Sequence, residues 1–378
     1  MLDLIKLKSK LVCSGIQIND ISEKIYDFEH KSKITRTSNM GLQLDLEGKG
    51  IICSIPYRKN NPFKSPWYLF EKDDKYYLTD DNITIEVKYF PNEVPTWYNH
   101  MLSNGRYISD YIQFEGDKVL ICSISRTCCY FSKNEACAFC NLNGGFTDID
   151  EKEYINMIIE SFKYILNCDQ SAKSINLTGG NLYTSDKGAL RYIPIIKEIR
   201  KLSRIPIAVE LSPPDDLNVL KELYLAGANA LEMNVEIWDE EIRNKLMPGK
   251  SKINREYYIK AWEKAIEIFG VGNVGSGIII GLDDVNSSFE GIKKMIDIGV
   301  LPSIIPFKPT PGSVLEEHVN CVSDDLYNIT DKAAKLMLEK GLDPTDKYGC
   351  IGCGACTLEG DLYRYYKKNT IEEKLWIK

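Results

Sequence analysis

The chain has 378 residues, 44% hydrophobic and 27% charged, a composition typical of a soluble globular protein with one large domain and appendages, or two domains. Its formal charge of -7 offers no basic face for nucleic acid, and no apolar run approaches the roughly eighteen residues of a membrane-spanning helix. Neither nucleic acid nor membrane is therefore an expected partner. Twelve cysteines without a secretory h-region point to a reducing, cytoplasmic setting in which thiols bind metal.

Residues 1–105 open with a short helix and then alternate with period two, as in Gly41-Leu-Gln-Leu-Asp-Leu-Glu and Ile83-Thr-Ile-Glu-Val-Lys-Tyr-Phe. Turn residues such as Asp73-Asp74 and Asp80-Asp81-Asn82 separate the runs, which predicts antiparallel hairpins in a small β-rich N-terminal domain. Pro91, Pro95 and the stretch through Gly105 mark its boundary. From about residue 118 the rhythm becomes strand, loop, helix. Strands are expected at 119–124, 174–178, 206–211, 230–236, 274–280 and 302–307, with amphipathic helices at 153–167, 192–203, 217–226, 255–269 and 287–298. Serial βα units predict an α/β fold, a parallel sheet forming an open sheet or a full or partial TIM-like barrel over 106–316. Chemistry in such folds sits at the carboxyl ends of the strands. A C-terminal region, 317–378, adds a helix at 324–340, a second cysteine motif and a charged, aromatic end.

The first cysteine stretch follows the first of these strands. It reads Cys128-Cys-Tyr-Phe-Ser-Lys-Asn-Glu-Ala-Cys-Ala-Phe-Cys140, so that Cys128 or Cys129, Cys137 and Cys140 can turn toward one point. Such thiols suit a zinc ion or an iron–sulfur cluster. The three histidines, His30, His100 and His318, all lie far away in sequence. The second motif, Cys350-x2-Cys353-x2-Cys356 with interspersed glycines, also reads as metal-binding, and Cys321 precedes it in the same region. The remaining cysteines, Cys13, Cys53, Cys122 and Cys168, read as small buried hydrophobes.

A cysteine motif after strand one of a parallel barrel, ending Cys-x-Phe-Cys, resembles the radical S-adenosylmethionine (radical SAM) superfamily. The gap of seven residues after Cys129, or eight after Cys128, departs from the familiar Cys-x3-Cys-x2-Cys. Further motifs carry the resemblance. Thr178-Gly179-Gly180-Asn181 is similar to the Gly-Gly-Glu segment that meets the methionine amino group, with Asn181 in place of the acid. Asn234 and Glu236 stand where polar groups reach the ribose, and Arg255 where a cation sits near the S-adenosylmethionine carboxylate. Gly275-Ser-Gly277-Ile-Ile279-Ile-Gly-Leu is similar to the strand that packs on adenine, and the Pro306–Ser313 segment resembles the biotin synthase branch.

This resemblance implies a [4Fe-4S] cluster on three thiolates, bound S-adenosyl-L-methionine, and a 5′-deoxyadenosyl radical that abstracts hydrogen from a small-molecule substrate. It also implies an electron donor such as flavodoxin or ferredoxin and an anaerobic setting. Cys350, Cys353 and Cys356, with Cys321 as one option for a fourth ligand, are expected to hold a second, auxiliary iron–sulfur cluster. Sulfur insertion at a C–H bond is the leading expectation, with rearrangement or methylation in cofactor biosynthesis as alternatives. A non-catalytic iron–sulfur scaffold or redox relay is the reading from a different class.

Overall fold

The computed structural model describes residues 1–18, 41–56, 65–89, 95–116, 118–142 and 150–376. His30 and the Pro91 boundary lie outside them. Helix α1 (Leu2–Ser14) opens the chain and leads into β1 (Gln17–Ile18). The strands β2 (Gly41–Leu46), β3 (Ile52–Pro56), β4 (Tyr68–Lys72), β5 (Lys75–Thr79) and β6 (Thr84–Tyr89) follow. With β1 they form one sheet in the order β1-β4-β5-β6-β2-β3, antiparallel except where β1 runs parallel to β4. The period-two runs thus do pair as hairpins, and the turn at Asp73 and Asp74 places both at positive φ, 52° and 57°.

The second sheet holds β7 (Ile112–Glu115) and β8 (Val119–Ser123), then β9 (Ser174–Thr178), β10 (Ile207–Glu210), β11 (Ala230–Glu232), β12 (Val274–Ile280) and β13 (Leu301–Pro306). Its order is strictly sequential, β13 back to β7. The strands β8 to β13 are all parallel, and only β7, unpredicted from sequence, pairs antiparallel. Between them run α2 (Glu151–Cys168), α3 (Tyr192–Leu202), α4 (Val219–Ala226), α5 (Glu240–Leu246), α6 (Arg255–Phe269) and α7 (Val285–Ile298). Six sequential parallel strands with outer helices curl into a half-barrel. Of the architectures that the βα rhythm left open, the partial barrel is the one formed.

The helices form where their apolar spacing and caps dictate. In α2, Tyr154, Met157, Ile158, Phe162, Ile165 and Leu166 make one buried stripe, and Asp150 caps the start by accepting from the Lys152 and Glu153 amides. Every residue of β8 and β12 is buried, as expected of parallel strands covered on both faces. Within β8, Leu120 and Cys122 face the helices and join the main core, whereas Val119 and Ile121 point inward. The inward face of the sheet is the face that matters for chemistry.

The C-terminal region adds α8 (Ser323–Lys340), the short α9 (Gly349–Cys353) and α10 (Glu359–Trp376). Helix α1 packs against α8 and α10, so the two ends of the chain share one core. Helix α9 enters the lower end of the half-barrel, touching β8, β9, β10 and β13. There Cys353 and Ala355 close over Val119 and Ile121. The barrel thus has a floor supplied by the cysteine motif, which sequence spacing alone did not place. Among the described residues no helix is long and apolar enough to cross a membrane.

One buried acid in this region gives a pH-dependent expectation. Glu359 is 2% exposed, and neither carboxylate oxygen has a hydrogen-bond partner. Burial pushes its pKa from the ordinary 4.5 up to about 7. Below pH 4.5 both folded and unfolded chains hold the proton; between there and pH 7 the unfolded chain ionises first, so stability falls as pH rises. The full loss is about 3 kcal/mol at roughly 1.4 kcal/mol per pKa unit. Denaturant unfolding of Glu359→Gln is expected to match wild type near pH 4.5 and exceed it by up to about 3 kcal/mol at pH 8. Parallel pH profiles for the two proteins would remove the claim.

Candidate active site

The carboxyl ends of β8 to β13 surround a cavity of about 280 Å³. The loop after β8 forms one wall. Cys128 lies in extended backbone, and Cys129 begins a short 3-10 turn that ends at Asn134 with φ 57°. The Cys137 carbonyl then accepts from the Cys140 amide in a tight turn, and the Ala138 amide donates to Leu246 O. This path brings Cys128, Cys137 and Cys140 onto the cavity wall together with Phe139. Cys129 is not on that wall; its amide donates to Asn181 O at 2.9 Å, which pins the turn to the end of β9.

The thiols stand in a desolvated place. Burial pushes Cys140 up to about 11, and Cys137 above its usual range, with the neighbouring thiols adding to both. Cys129 is likewise raised to about 11, first by burial and then by Cys128. Burial thus favours the neutral thiol at Cys137 and Cys140, and a bound cation would draw off their protons. Neither described histidine joins them: His100 stacks on Tyr164 at 3.5 Å and His318 lies edge-on to Phe307 at 5.5 Å. A donor set of three thiols without histidine suits an iron–sulfur cluster with one iron left open.

The other expected residues sort into two groups. Gly179, Gly180, Asn181, Asn234, Glu236, Gly277 and Ile279 all line the same cavity. At Gly180 a Cβ would stand 2.2 Å from Thr127 O and 2.7 Å from Cys128 Cβ, so only glycine lets β9 end against the cysteine loop. Asn181 donates from Nδ2 to Ser212 Oγ at 2.9 Å, and Asn234 Oδ1 accepts from the Gly277 amide at 2.7 Å. Arg255 stays outside. Its guanidinium donates to Glu240 and to Trp238 O and lies over the Trp238 ring, because the start of α6 faces away from the strands' ends.

The cation that does reach the cavity is Lys250, which sequence reasoning missed. Its Nζ donates to Glu236 Oε1 at 2.8 Å. Glu236 holds φ 70°, a left-handed conformation rare outside glycine; it bridges Ile278 of β12 beyond the end of β11, and its carboxylate lies beside Lys250. Burial works against the Lys250 charge, but Glu236, Tyr258 and Cys137 together outweigh it and hold the ammonium above its ordinary pKa. The sequence signal was Met247-Pro-Gly-Lys250, a cation in a turn directly after the α5 segment.

Glu210 and Glu232 were likewise read only as parts of strands. Both line the cavity, and Cys350 of α9 lines it with them. A carboxylate inside an otherwise apolar parallel strand would have been the signal. Cys353 lines a separate cleft with Lys347 and Asp361, and burial raises Cys53 beside Cys356. Cys321 is buried against the Gly281 backbone and next to Cys13, and its amide donates to Phe307 O just after β13.

A half-barrel whose first βα loop presents three thiols to a cavity at the strands' carboxyl ends is the arrangement that the radical SAM resemblance implies. Residues 126–296 match the family model of the Radical SAM superfamily, and the chain carries a radical SAM domain homologous to radical SAM enzymes. Over 272 residues it is 24% identical to bacteriochlorophyllide c C-7(1)-hydroxylase from Chlorobaculum limnaeum, covering 65% of this chain and 66% of that one. The chain thus spans just under two thirds of that relative's length. Similar solved structures include coproporphyrinogen III oxidase from Escherichia coli, at 16% identity and TM-score 0.43, covering 60% of this chain and 54% of that one. A radical SAM methyltransferase from Sphaerobacter thermophilus matches at 15% identity and TM-score 0.46, covering 78% and 81%.

Proposed function

We propose that this protein binds a [4Fe-4S] cluster through Cys128, Cys137 and Cys140 and uses S-adenosylmethionine to abstract hydrogen from a small molecule held in the half-barrel. The observation that carries this reading is the convergence of these three thiols with Gly179, Gly180, Asn234, Glu236 and Gly277 on one cavity. A cluster held by Cys128, Cys137 and Cys140 would supply the electron for reductive cleavage of S-adenosylmethionine, the chemistry that initiates hydrogen abstraction. The chain's own residues position the reactants. The glycine end of β9 admits a ligand close to the cysteine loop, and the Lys250–Glu236 pair offers a cation and a carboxylate at the mouth. Phe139 and Ile279 provide apolar walls that limit water around the reacting atoms.

A low-potential donor of the flavodoxin or ferredoxin class would supply the electron. C–H functionalisation is the preferred outcome, supported by the hydroxylase name of the 24% identical relative; sulfur insertion belongs to the same type of reaction. The test is formation of 5′-deoxyadenosine from S-adenosylmethionine by the anaerobically reconstituted, dithionite-reduced protein, with and without cell extract as a substrate source. Turnover to 5′-deoxyadenosine is expected. A fully iron-loaded protein that forms none would leave only a scaffold or redox relay.

A further inference from the structure

We propose that Glu210, Glu232 and Cys350 form a site for a single thiophilic divalent ion, of the zinc or ferrous class, on the floor of the cavity, with Asn176 as the fourth donor. One ligand atom from each of the first three lies within 4.8 Å of the others. Donors on one tetrahedral zinc ion, at roughly 2.0–2.3 Å from the metal, stand about 3.5 Å apart, so small side-chain adjustments close the set. Thiolates on a four-iron cluster each take a different iron and need a wider spread.

Asn176 provides an independent sign of a missing ligand. It is fully buried, and its Nδ2 donates to Glu210 Oε1 at 2.7 Å. Its Oδ1 has no hydrogen-bond partner. A buried amide oxygen left without a partner is costly unless something electropositive occupies the place it faces. That place is shared with Glu232: a Cβ built on Gly349 would meet Asn176 Oδ1 at 2.7 Å and Glu232 Oε1 at 3.2 Å. The same point is 2.3 Å from Ala208 Cβ, and Gly349 has φ 68°, so glycine is required for the cysteine to be delivered here. The Cys350 amide then donates to Glu232 Oε1 at 3.1 Å, which fixes the carboxylate beside the thiol.

The donor types select the ion. Two carboxylates and an amide oxygen alone would suit magnesium or calcium, but a thiolate favours zinc or iron. A substrate ammonium could also sit between two carboxylates, yet it gains little from a thiol. The ion would face the space below the cysteine loop, where it could anchor an oxygen- or nitrogen-bearing substrate. That anchoring role rests on the cavity being the reaction chamber; the metal binding does not.

The test uses the full chain with its first cluster reconstituted anaerobically, titrated with zinc alone against a competing chelator, with bound zinc and iron per chain counted by mass spectrometry. Wild type is expected to hold one zinc tightly. Cys350→Ser and Glu232→Gln are expected to weaken binding at least a hundredfold, and Asn176→Ala about tenfold, with iron retained. Cys353→Ser should bind zinc as wild type does. Glu210→Asp, a mild change, should weaken binding if Glu210→Gln fails to fold. Equal zinc affinity in wild type, Cys350→Ser and Glu232→Gln overturns the proposal. So does a loss of several irons together in Cys350→Ser with both glutamate variants unaffected, which would place Cys350 on an auxiliary cluster. Zinc stoichiometry is independent of S-adenosylmethionine cleavage, so this site and the radical reading fail separately.

Discussion

Cys128→Ala, Cys137→Ala and Cys140→Ala are each expected to lose the S-adenosylmethionine-binding cluster and with it all detectable 5′-deoxyadenosine, whereas Cys129→Ala keeps both. Cys128 lines the cavity with Cys137 and Cys140, while Cys129 turns away and uses its amide on Asn181 O. Removing one of three thiolates leaves a cluster with two ligands, too few to hold it with one iron open for a small molecule. The Cys129 variant retains the backbone bond to Asn181, since that bond involves no side-chain atom. Iron per chain and the cluster's absorption after anaerobic reconstitution decide the matter. An iron-free Cys129→Ala beside an iron-loaded Cys128→Ala would exchange the two assignments.

The second large effect is on stability. Lys8→Met is expected to cost about 3 kcal/mol, toward the low end for breaking one partner of a buried ion pair. Lys8 is 1% exposed, and its Nζ donates to Asp361 Oδ2 at 2.7 Å and to Gly354 O at 2.6 Å. Removing it strands a carboxylate that is itself 7% exposed. Arg364 keeps hold of the other Asp361 oxygen at 2.7 Å, which is why the cost falls short of the full range. Lys8→Met/Asp361→Leu should recover most of the loss, because an apolar pair of similar volume leaves no buried charge. Denaturant unfolding measures both. A single variant within a few tenths of a kcal/mol of wild type would show that the pair adds nothing. Gly354 directly follows α9, so the same variant is expected to raise amide exchange in the floor segment.

These two expectations differ in how much of them was legible in the sequence. The βα rhythm and the hairpins were readable because strand faces alternate and buried parallel strands are continuously apolar, whereas the cavity-lining positions after β9 and β11 and on β12 were pointed to by the radical SAM resemblance. Arg255 shows the limit. Its place at the start of the expected 255–269 helix is where the structure has it, but which way that start faces depends on how α6 packs, and packing sent the cation to Glu240 and Trp238 instead.

The chain by itself therefore determined that a cysteine stretch follows the first strand of a parallel sheet, at its carboxyl end, because local spacing and strand period carry that information; its meeting with the glycine-bearing strand ends was what the radical SAM resemblance implied. Only the tertiary structure decided which of two adjacent cysteines turns inward, since Cys128 and Cys129 differ in nothing but the path of one loop. It also decided that Lys250 rather than Arg255 reaches the cavity, and that residues 349–353 fold back as the barrel's floor. That last contact joins Cys350 to Asn176, Glu210 and Glu232, residues more than a hundred positions away in the chain. No local pattern encodes such a meeting; it depends on α9 packing against β8, β9, β10 and β13.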